Sequence, residues 1–465
     1  MPMNSFDDYP MSWRPSLAGA SGPVYRALAD LLASDIAAGR LLPGTKLPPQ
    51  RELADFLDVN PSTVSKAFKL CAERGLVAAS VGSGTYVASD AGSPGVRVCE
   101  RREGVIDLGA LVPATAPNEL VCRRTEEVLR LPDAAELLSY GMPEGTLRHR
   151  TAGAAWLALA GVDARPDEVL PAAGGQNAIV AAFATLFARG DRVGCDALTY
   201  PGVKEAAKLL GIQLVPVRGG ADDAMSAEGL EFAARNEGIR GVYVIPTYHN
   251  PTGRSRDAAA CAELAAVARS QDLLVVEDGI NALLAENPAR PIAALAPERT
   301  VYLSSLSKTV APGLRAAFVR VPRAWHDGMV EALGALNVSL PPLLATVAAS
   351  LVEDGTAAEA LRRRKRDLRG RNRLLDAVLG GWLEPCGETA PLRWLHLPAH
   401  FTGRAFEVCA RQAGVLVYGA ERFAVGGGPV PRSVRLAVTA TPTEGELGEG
   451  ARRLRAVLEA PPWFP

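Results

Sequence analysis

Little in the chain marks it for the outside of a cell or for a membrane. Its seven cysteines, at 71, 99, 122, 195, 261, 386 and 409, are dispersed and form no C-x-x-C pair. That pattern suits free thiols in a reducing compartment and offers no metal site. No run of eighteen apolar residues occurs, so no membrane-spanning helix is expected. The opening MPMNSFDDYP lacks the basic and apolar regions of a signal peptide, and the expected location is the cytoplasm. An excess of charge is missing as well: 50 Lys+Arg against 51 Asp+Glu leave a net charge of −1. No global field therefore argues for nucleic acid or membrane. What remains is an ordinary globular composition, 48% apolar and 22% charged over 465 residues, long enough for two to four domains at roughly 100–200 residues each.

Several zones follow from punctuation and periodicity. Residues 1–22 are polar and broken by Pro and Gly, and read as a flexible arm. Residues 23–87 are compact and helical, with a Gly-rich hairpin at their end. Residues 88–104, ASDAGSPGVRVCERREG, read as a linker. From 105 onward, short continuous apolar runs alternate with Ala-rich helical stretches. VYVIP (242–246), LLVVED (273–278) and VYLSS (301–305) are examples. Such runs fit strands buried on both faces of a mostly parallel sheet, so the expected fold class is α/β. Beyond 320 the pattern turns mostly helical, with strand-like runs at 393–397 and 433–438. That predicts a large subdomain over 105–320 and a smaller C-terminal α+β subdomain over 321–465.

In the N-terminal module, Val24, Leu28, Leu31, Leu32 and Ile36 share one helical face. PGTKLPP (43–49) stops that helix, and a second begins near Gln50. The turn DVN (58–60) leads to a third, PSTVSKAFKLCAER, with Asn60 placed to cap it and Pro61 in its first turn. VAAS, GSG and TYVA then read as a two-stranded wing with a glycine tip. Two helices joined by a tight turn make a helix-turn-helix. Its third helix exposes Ser62, Thr63, Ser65, Lys66 and Lys69, donors suited to phosphates and base edges. Yet residues 23–87 hold seven Lys/Arg against six Asp/Glu, a weak electrostatic footprint for a DNA binder. On charge alone, a protein-interaction module serves equally well. PGTKLPPQRELADFLDVNPSTVSKAFKLCAERGL…GSGTYV, however, resembles the GntR-family winged helix along its whole length. That resemblance implies double-stranded DNA as partner, with Arg51, Asn60, Ser62, Thr63, Ser65, Lys66 and Gly84 at the contact positions. Pro61 stands where many members have Arg.

The larger part carries SSLSKTVAPGLR (304–315). A lysine beside hydroxyls and an arginine is what a Schiff base to a phosphorylated aldehyde needs: a desolvated amine, and donors for a phosphate. Asp278 ends an apolar strand, where open α/β sheets bind ligands. Asn250 lies in HNPTG, PAAGGQNAI (171–179) reads as a strand-to-helix turn able to hold a phosphate, and Tyr200 can stack on a ring. Each has a plainer reading: a cap, a turn, a loop, a core aromatic. Their order is harder to produce by chance, and it resembles the fold-type I aminotransferases over nearly all of 105–465.

The resemblance implies pyridoxal 5′-phosphate as cofactor. Gly175 and Gln176 would bind its phosphate, with Ser305, Ser307 and Arg315. Tyr200 would stack on the ring, Asn250 would meet the ring hydroxyl, Asp278 the ring nitrogen, and Lys308 would form the Schiff base. Asp278 and Lys308 would be the catalytic pair, Arg435 would grip a substrate carboxylate, and Tyr140 would reach the phosphate of a second subunit in a homodimer. Ile280 and Asn281 stand where relatives have a Tyr. The two modules in this order resemble MocR-type regulators, which implies a regulator responsive to an amino acid or amine effector. A working aminotransferase with an accessory DNA-binding domain, and a sensor of pyridoxal phosphate itself, remain as alternatives.

Overall fold

The apolar runs become strands in the computed structural model of the protein, which describes residues 11–17, 22–37, 40–41, 45–80, 84–88, 104–111, 118–219 and 224–460. The chain divides into two compact units, Met1–Gly95 with Glu421–Pro431, and Val96–Ala420 with Arg432–Pro465. The linker expected over 88–104 lies almost wholly outside the described residues.

The first unit is a three-helix winged module. Helices Val24–Ala37, Gln50–Leu57 and Pro61–Glu73 precede strands Val77–Ser80 and Gly84–Val87, which pair antiparallel from Val77↔Val87 to Ser80↔Gly84. Lys46 adds an antiparallel bridge to Tyr86. Leu28, Leu32, Leu53, Val64, Ala67 and Phe68 fill the core, whereas Val24 stays 39% exposed instead of joining it. The arm reading needs correction over 11–17. Trp13 is buried in this core, and its indole N–H donates to Asp35 Oδ2 at 2.8 Å. A large aromatic ring with a partner for its N–H recovers more by burial than a short segment gains by staying loose.

The second unit is built on a seven-stranded sheet. In sheet order its strands are Val169–Ala172, Ala317–Arg320, Thr300–Ser305, Leu274–Asp278, Ile239–Val244, Arg192–Cys195 and Gln213–Pro216. Only Ala317–Arg320 runs antiparallel to its neighbours. Helices cover both faces, so the strands read as unbroken apolar runs rather than alternating ones. Phe183, Tyr243, Val276 and Leu303 lie in the core on one side, Trp156, Tyr302 and Phe318 on the other.

A smaller subdomain pairs Leu392–His396 with Ser433–Ala437 and Ser433–Ala437 with Tyr418–Gly419, all antiparallel. Helices Thr356–Leu379 and Glu444–Glu459 supply leucines to its core, and Gly403–Gln412 supplies Phe406 and Ala410. The division expected at 320 is not where the packing changes. Helices His326–Asn337 and Pro342–Glu353 pack on helices Gly175–Leu186 and Leu147–Ala158 of the large layer. At the other end, Ile106–Asp107 pairs in parallel with Val415–Leu416, so the chain enters through the small subdomain. Helical periodicity marks a buried face without naming the layer that buries it.

Candidate functional site

The carboxyl ends of the parallel strands converge on one place, as expected of an open α/β sheet. Lys308 follows strand Thr300–Ser305, Asp278 ends Leu274–Asp278, Asn250 follows Ile239–Val244, and Tyr200 caps the helix after Arg192–Cys195. The turn after Val169–Ala172 feeds helix Gly175–Leu186, whose first N–H groups have no intrahelical acceptor.

That turn is built around an arginine. Gly174 has φ +89°, and a Cβ there would sit 2.4 Å from Arg315 Nη2; Arg315 itself donates to Ala173 O at 3.3 Å. Only glycine allows both the backbone and the guanidinium in that space. A Cβ on Gly175 would meet Ile280 Cδ1 at 2.4 Å. Ile280 thus forms a wall of the same turn. Gln176 Nε2 donates to Gly202 O at 2.8 Å, while its buried Oε1 has no partner among the described residues.

The hydroxyl pair divides its labour. Ser305 is buried, and its Oγ accepts from the Ser307 N–H at 3.1 Å and lies 3.2 Å from Ala316 O. It therefore folds the turn. Ser307, one residue before Lys308, lies nearer the surface of the site.

Lys308 Nζ donates to Leu111 O at 2.7 Å. Burial of the ammonium, then the Arg435 and Arg315 charges, lowers its pKa to about 8, with Asp278 opposing. Asp278 is buried, and burial raises its pKa; the Tyr243 hydroxyl, donating to Oδ2 at 2.6 Å, and the Ile280 N–H at 3.1 Å act against that rise. Tyr243 has its own pKa raised by burial and by Asp278, so it stays a donor. Arg435 is fully buried. It donates to Asn250 Oδ1 at 2.8 Å and to Gly109 O at 2.5 Å, and lies 5.5 Å from the Tyr418 ring centroid.

Sequence reasoning missed three features here. Tyr243 was read only as a strand residue, although a tyrosine inside a fully apolar run needs a partner for its hydroxyl. The carbonyls of Gly109 and Leu111 leave no trace in residue types. Asn281 is buried and donates to Tyr248 O at 2.9 Å, bracing the loop that carries Asn250. Tyr140 is 91% exposed and touches none of this group in the single chain.

In the winged unit, Asn60 Oδ1 accepts from Ser62 N at 2.9 Å and caps the third helix. Arg51, Ser62, Ser65, Lys66 and Lys69 are exposed, Thr63 is half-buried, and Val64, Ala67, Phe68 and Cys71 face inward. Ser65 Oγ donates to Gln50 Oε1 at 2.6 Å. Gly84 takes φ +115° beside Lys46.

Comparison with known proteins agrees with both halves. Residues 103–454 match the aminotransferase class I and II family, and residues 24–87 match the bacterial regulatory proteins of the gntR family. The uncharacterised HTH-type transcriptional regulator YdeF of Bacillus subtilis (strain 168) is 42% identical over 460 residues, 99% of each chain. The vitamin B6 salvage pathway transcriptional repressor PtsJ of Salmonella typhimurium is 30% identical, over 64% of this chain and 67% of that one. Among solved structures, LysN, the alpha-aminoadipate aminotransferase of Thermus thermophilus complexed with N-(5′-phosphopyridoxyl)-L-leucine, superposes with a TM-score of 0.68. It is 25% identical and covers 77% of this chain and 92% of its own.

Proposed function

The chain belongs to the aminotransferase class I and II family, with a GntR-family domain ahead of it, and on that premise we propose that it is a DNA-binding transcription regulator that holds pyridoxal 5′-phosphate on Lys308 and responds to an amino acid or a related amine. The observation that carries this reading is the meeting of a lysine of lowered pKa with a Gly-Gly-Arg cradle and a buried carboxylate at one end of the sheet. The cradle fits a phosphate: Arg315 supplies the guanidinium, Ser307 a hydroxyl, and the start of helix Gly175–Leu186 its free N–H groups. Ser305 orients Ser307 rather than touching the ligand.

When bound, pyridoxal phosphate supplies an aldehyde that amines exchange on and a ring that withdraws electrons. The chain's own residues do the rest. Lys308 offers a larger fraction of free amine near neutral pH than an ordinary lysine does, because its charged form is penalised. Asp278, fixed by Tyr243 and Ile280, holds a proton at the ring nitrogen as its charge partner. Asn250 donates to the ring hydroxyl through its amide while Arg435 holds its carbonyl end. Arg435 takes the effector's carboxylate in a two-point grip. An effector can shift DNA binding only by favouring one arrangement of the protein over another.

Borohydride reduction followed by peptide mapping tests the assignment: the pyridoxyl group should sit on Lys308, and a label on another lysine removes the site. Arg51 and the Ser62–Lys69 face carry the DNA contact. Gel shifts on DNA upstream of the chain's own gene, at stated salt, should show preference over random sequence. The relation to PtsJ favours a second reading, a sensor of the cofactor itself. In that case the apo and holo forms differ in DNA affinity and no amino acid changes it. A homodimer fits the exposed apolar side chains Leu138, Tyr140, Met142 and Leu147, and light scattering should give twice the chain mass.

A further inference from the structure

Helix Thr356–Leu379 contains the run LRRRKRDLRGRNR at 361–373, eight Lys/Arg and one Asp in thirteen residues. Two of the eight are internal. Arg364 and Arg371 are each 3% exposed, and Arg371 bonds Asp367 Oδ1 at 2.8 Å and Thr441 O at 3.0 Å. The other six are Arg362, Arg363, Lys365, Arg366, Arg369 and Arg373. At 100° per residue, 362, 366, 369 and 373 fall on a single ridge, about 16 Å long at 1.5 Å per residue.

The acids near this ridge do not balance it. Glu359 is shared by Arg362 at 2.9 Å, Arg363 at 2.9 Å and Arg366 at 3.7 Å. Glu286 is shared by Lys365 and Arg369, and Glu388 lies 3.8 Å from Arg369. Arg373 is exposed, with no acidic partner among the described residues. Six cations thus face four carboxylates, the fourth being Glu444, whose Oε1 lies 2.8 Å from the position a Cβ on Gly370 would take. Like charges four residues apart oppose the helix. Exposed ion pairs return little. The ridge is therefore not explained by the stability of its own helix.

A second observation points the same way. The winged module is almost neutral, with seven Lys/Arg against six Asp/Glu over 23–87, although phosphate neutralisation supplies most non-specific DNA affinity. We propose that the Arg362–Arg373 ridge is a second, sequence-independent contact surface for the phosphate backbone of double-stranded DNA. This rests on the reading of the protein as a DNA-binding regulator. A length of about 16 Å of duplex carries roughly nine phosphate charges, ample for four guanidinium groups. No aromatic or large apolar side chain stands on the ridge between 362 and 373, so the surface lacks the inserting groups of a membrane-binding helix.

The test is the salt dependence of binding by the full-length, cofactor-loaded protein to a 60-bp random-sequence duplex, followed by fluorescence anisotropy. The double variant Arg366→Ala, Arg373→Ala should lower the slope of log K against log salt by about 2, at roughly 0.9 per phosphate, and weaken binding near 0.1 M salt by tenfold to a hundredfold. Arg452→Ala with Arg455→Ala, equally exposed on helix Glu444–Glu459, should leave the slope unchanged. An unchanged slope in the ridge variant overturns the proposal, as does an equal loss in the control pair. Retained DNA slope with ridge-dependent binding to phosphatidylglycerol vesicles also overturns it, in favour of a membrane. If the wild-type chain binds no duplex at all, the regulator reading falls, and the ridge with it. The visible absorbance of the cofactor checks that each variant is folded.

Discussion

The lysine is the group whose behaviour follows most directly from the geometry. Its ordinary value of 10.5 falls to about 8, first through burial and then through Arg435 and Arg315. At pH 7 an amine of pKa 8 is free in about one molecule in ten, and one of pKa 10.5 in about one in 3,000, a ratio of roughly 300. The rate at which added pyridoxal phosphate attaches to the apo protein, followed by visible absorbance, should therefore climb about tenfold per pH unit below 8 and level off above it. Arg435→Gln removes the largest of the cationic contributions, which come from Arg435, Arg315 and Arg364. The shoulder should move upward without reaching 10.5, because burial remains. A rate that climbs without a shoulder through pH 9.5 would refute the desolvated amine, and a shoulder unmoved by Arg435→Gln would refute the coupling. The same shift has a consequence for stability. Between about 8 and 10.5 the unfolded chain binds the proton that the folded chain has released, so apo stability rises with pH across that window and gains nothing from it below.

Three further outcomes follow from single contacts. Tyr243→Phe removes the hydroxyl bonded to Asp278, which raises the carboxyl pKa further and should weaken cofactor binding by about 1.5–3 kcal/mol, read by equilibrium titration; unchanged affinity would remove Tyr243 from the site. Gly174→Ala places a methyl against Arg315 at a backbone angle that L-residues avoid, so phosphate affinity should fall while the winged unit's DNA binding in the absence of cofactor stays intact. Arg435→Lys keeps the charge and loses the two-point grip, so the DNA response should need at least about tenfold more effector while the pH profile of Lys308 holds its place; a response at the wild-type concentration would show that Arg435 does not hold the effector.

Much of this site was legible along the chain because its signals are local. Asn60 before Pro61 announces a helix start, and the inward set Val64, Ala67, Phe68 and Cys71 follows from helical spacing alone. The strands at 242–246, 273–278 and 301–305 stood out because burial on both faces leaves no polar alternation. Residues at strand ends followed, since that is where a parallel sheet opens to ligands. Trp13 was misjudged because the surrounding prolines and polar residues outvote one aromatic in any composition window.

By itself, then, the sequence determined most of the buried faces, though not Trp13 or Val24, and it determined where helices begin and the order in which Tyr200, Asn250, Asp278 and Lys308 arrive. The tertiary structure alone decided their partners. Tyr243 reaches Asp278 across 35 residues because strands Ile239–Val244 and Leu274–Asp278 are sheet neighbours. Leu111 O meets Lys308 across 197 residues, and Gly109 O meets Arg435 across 326. Ser305 turned inward once Ala317–Arg320 paired antiparallel beside its strand and brought Ala316 O within reach. Periodicity and composition report the environment that each residue requires. Which distant group supplies that environment is fixed only when the strand order and the packing of the helix layers close the chain on itself.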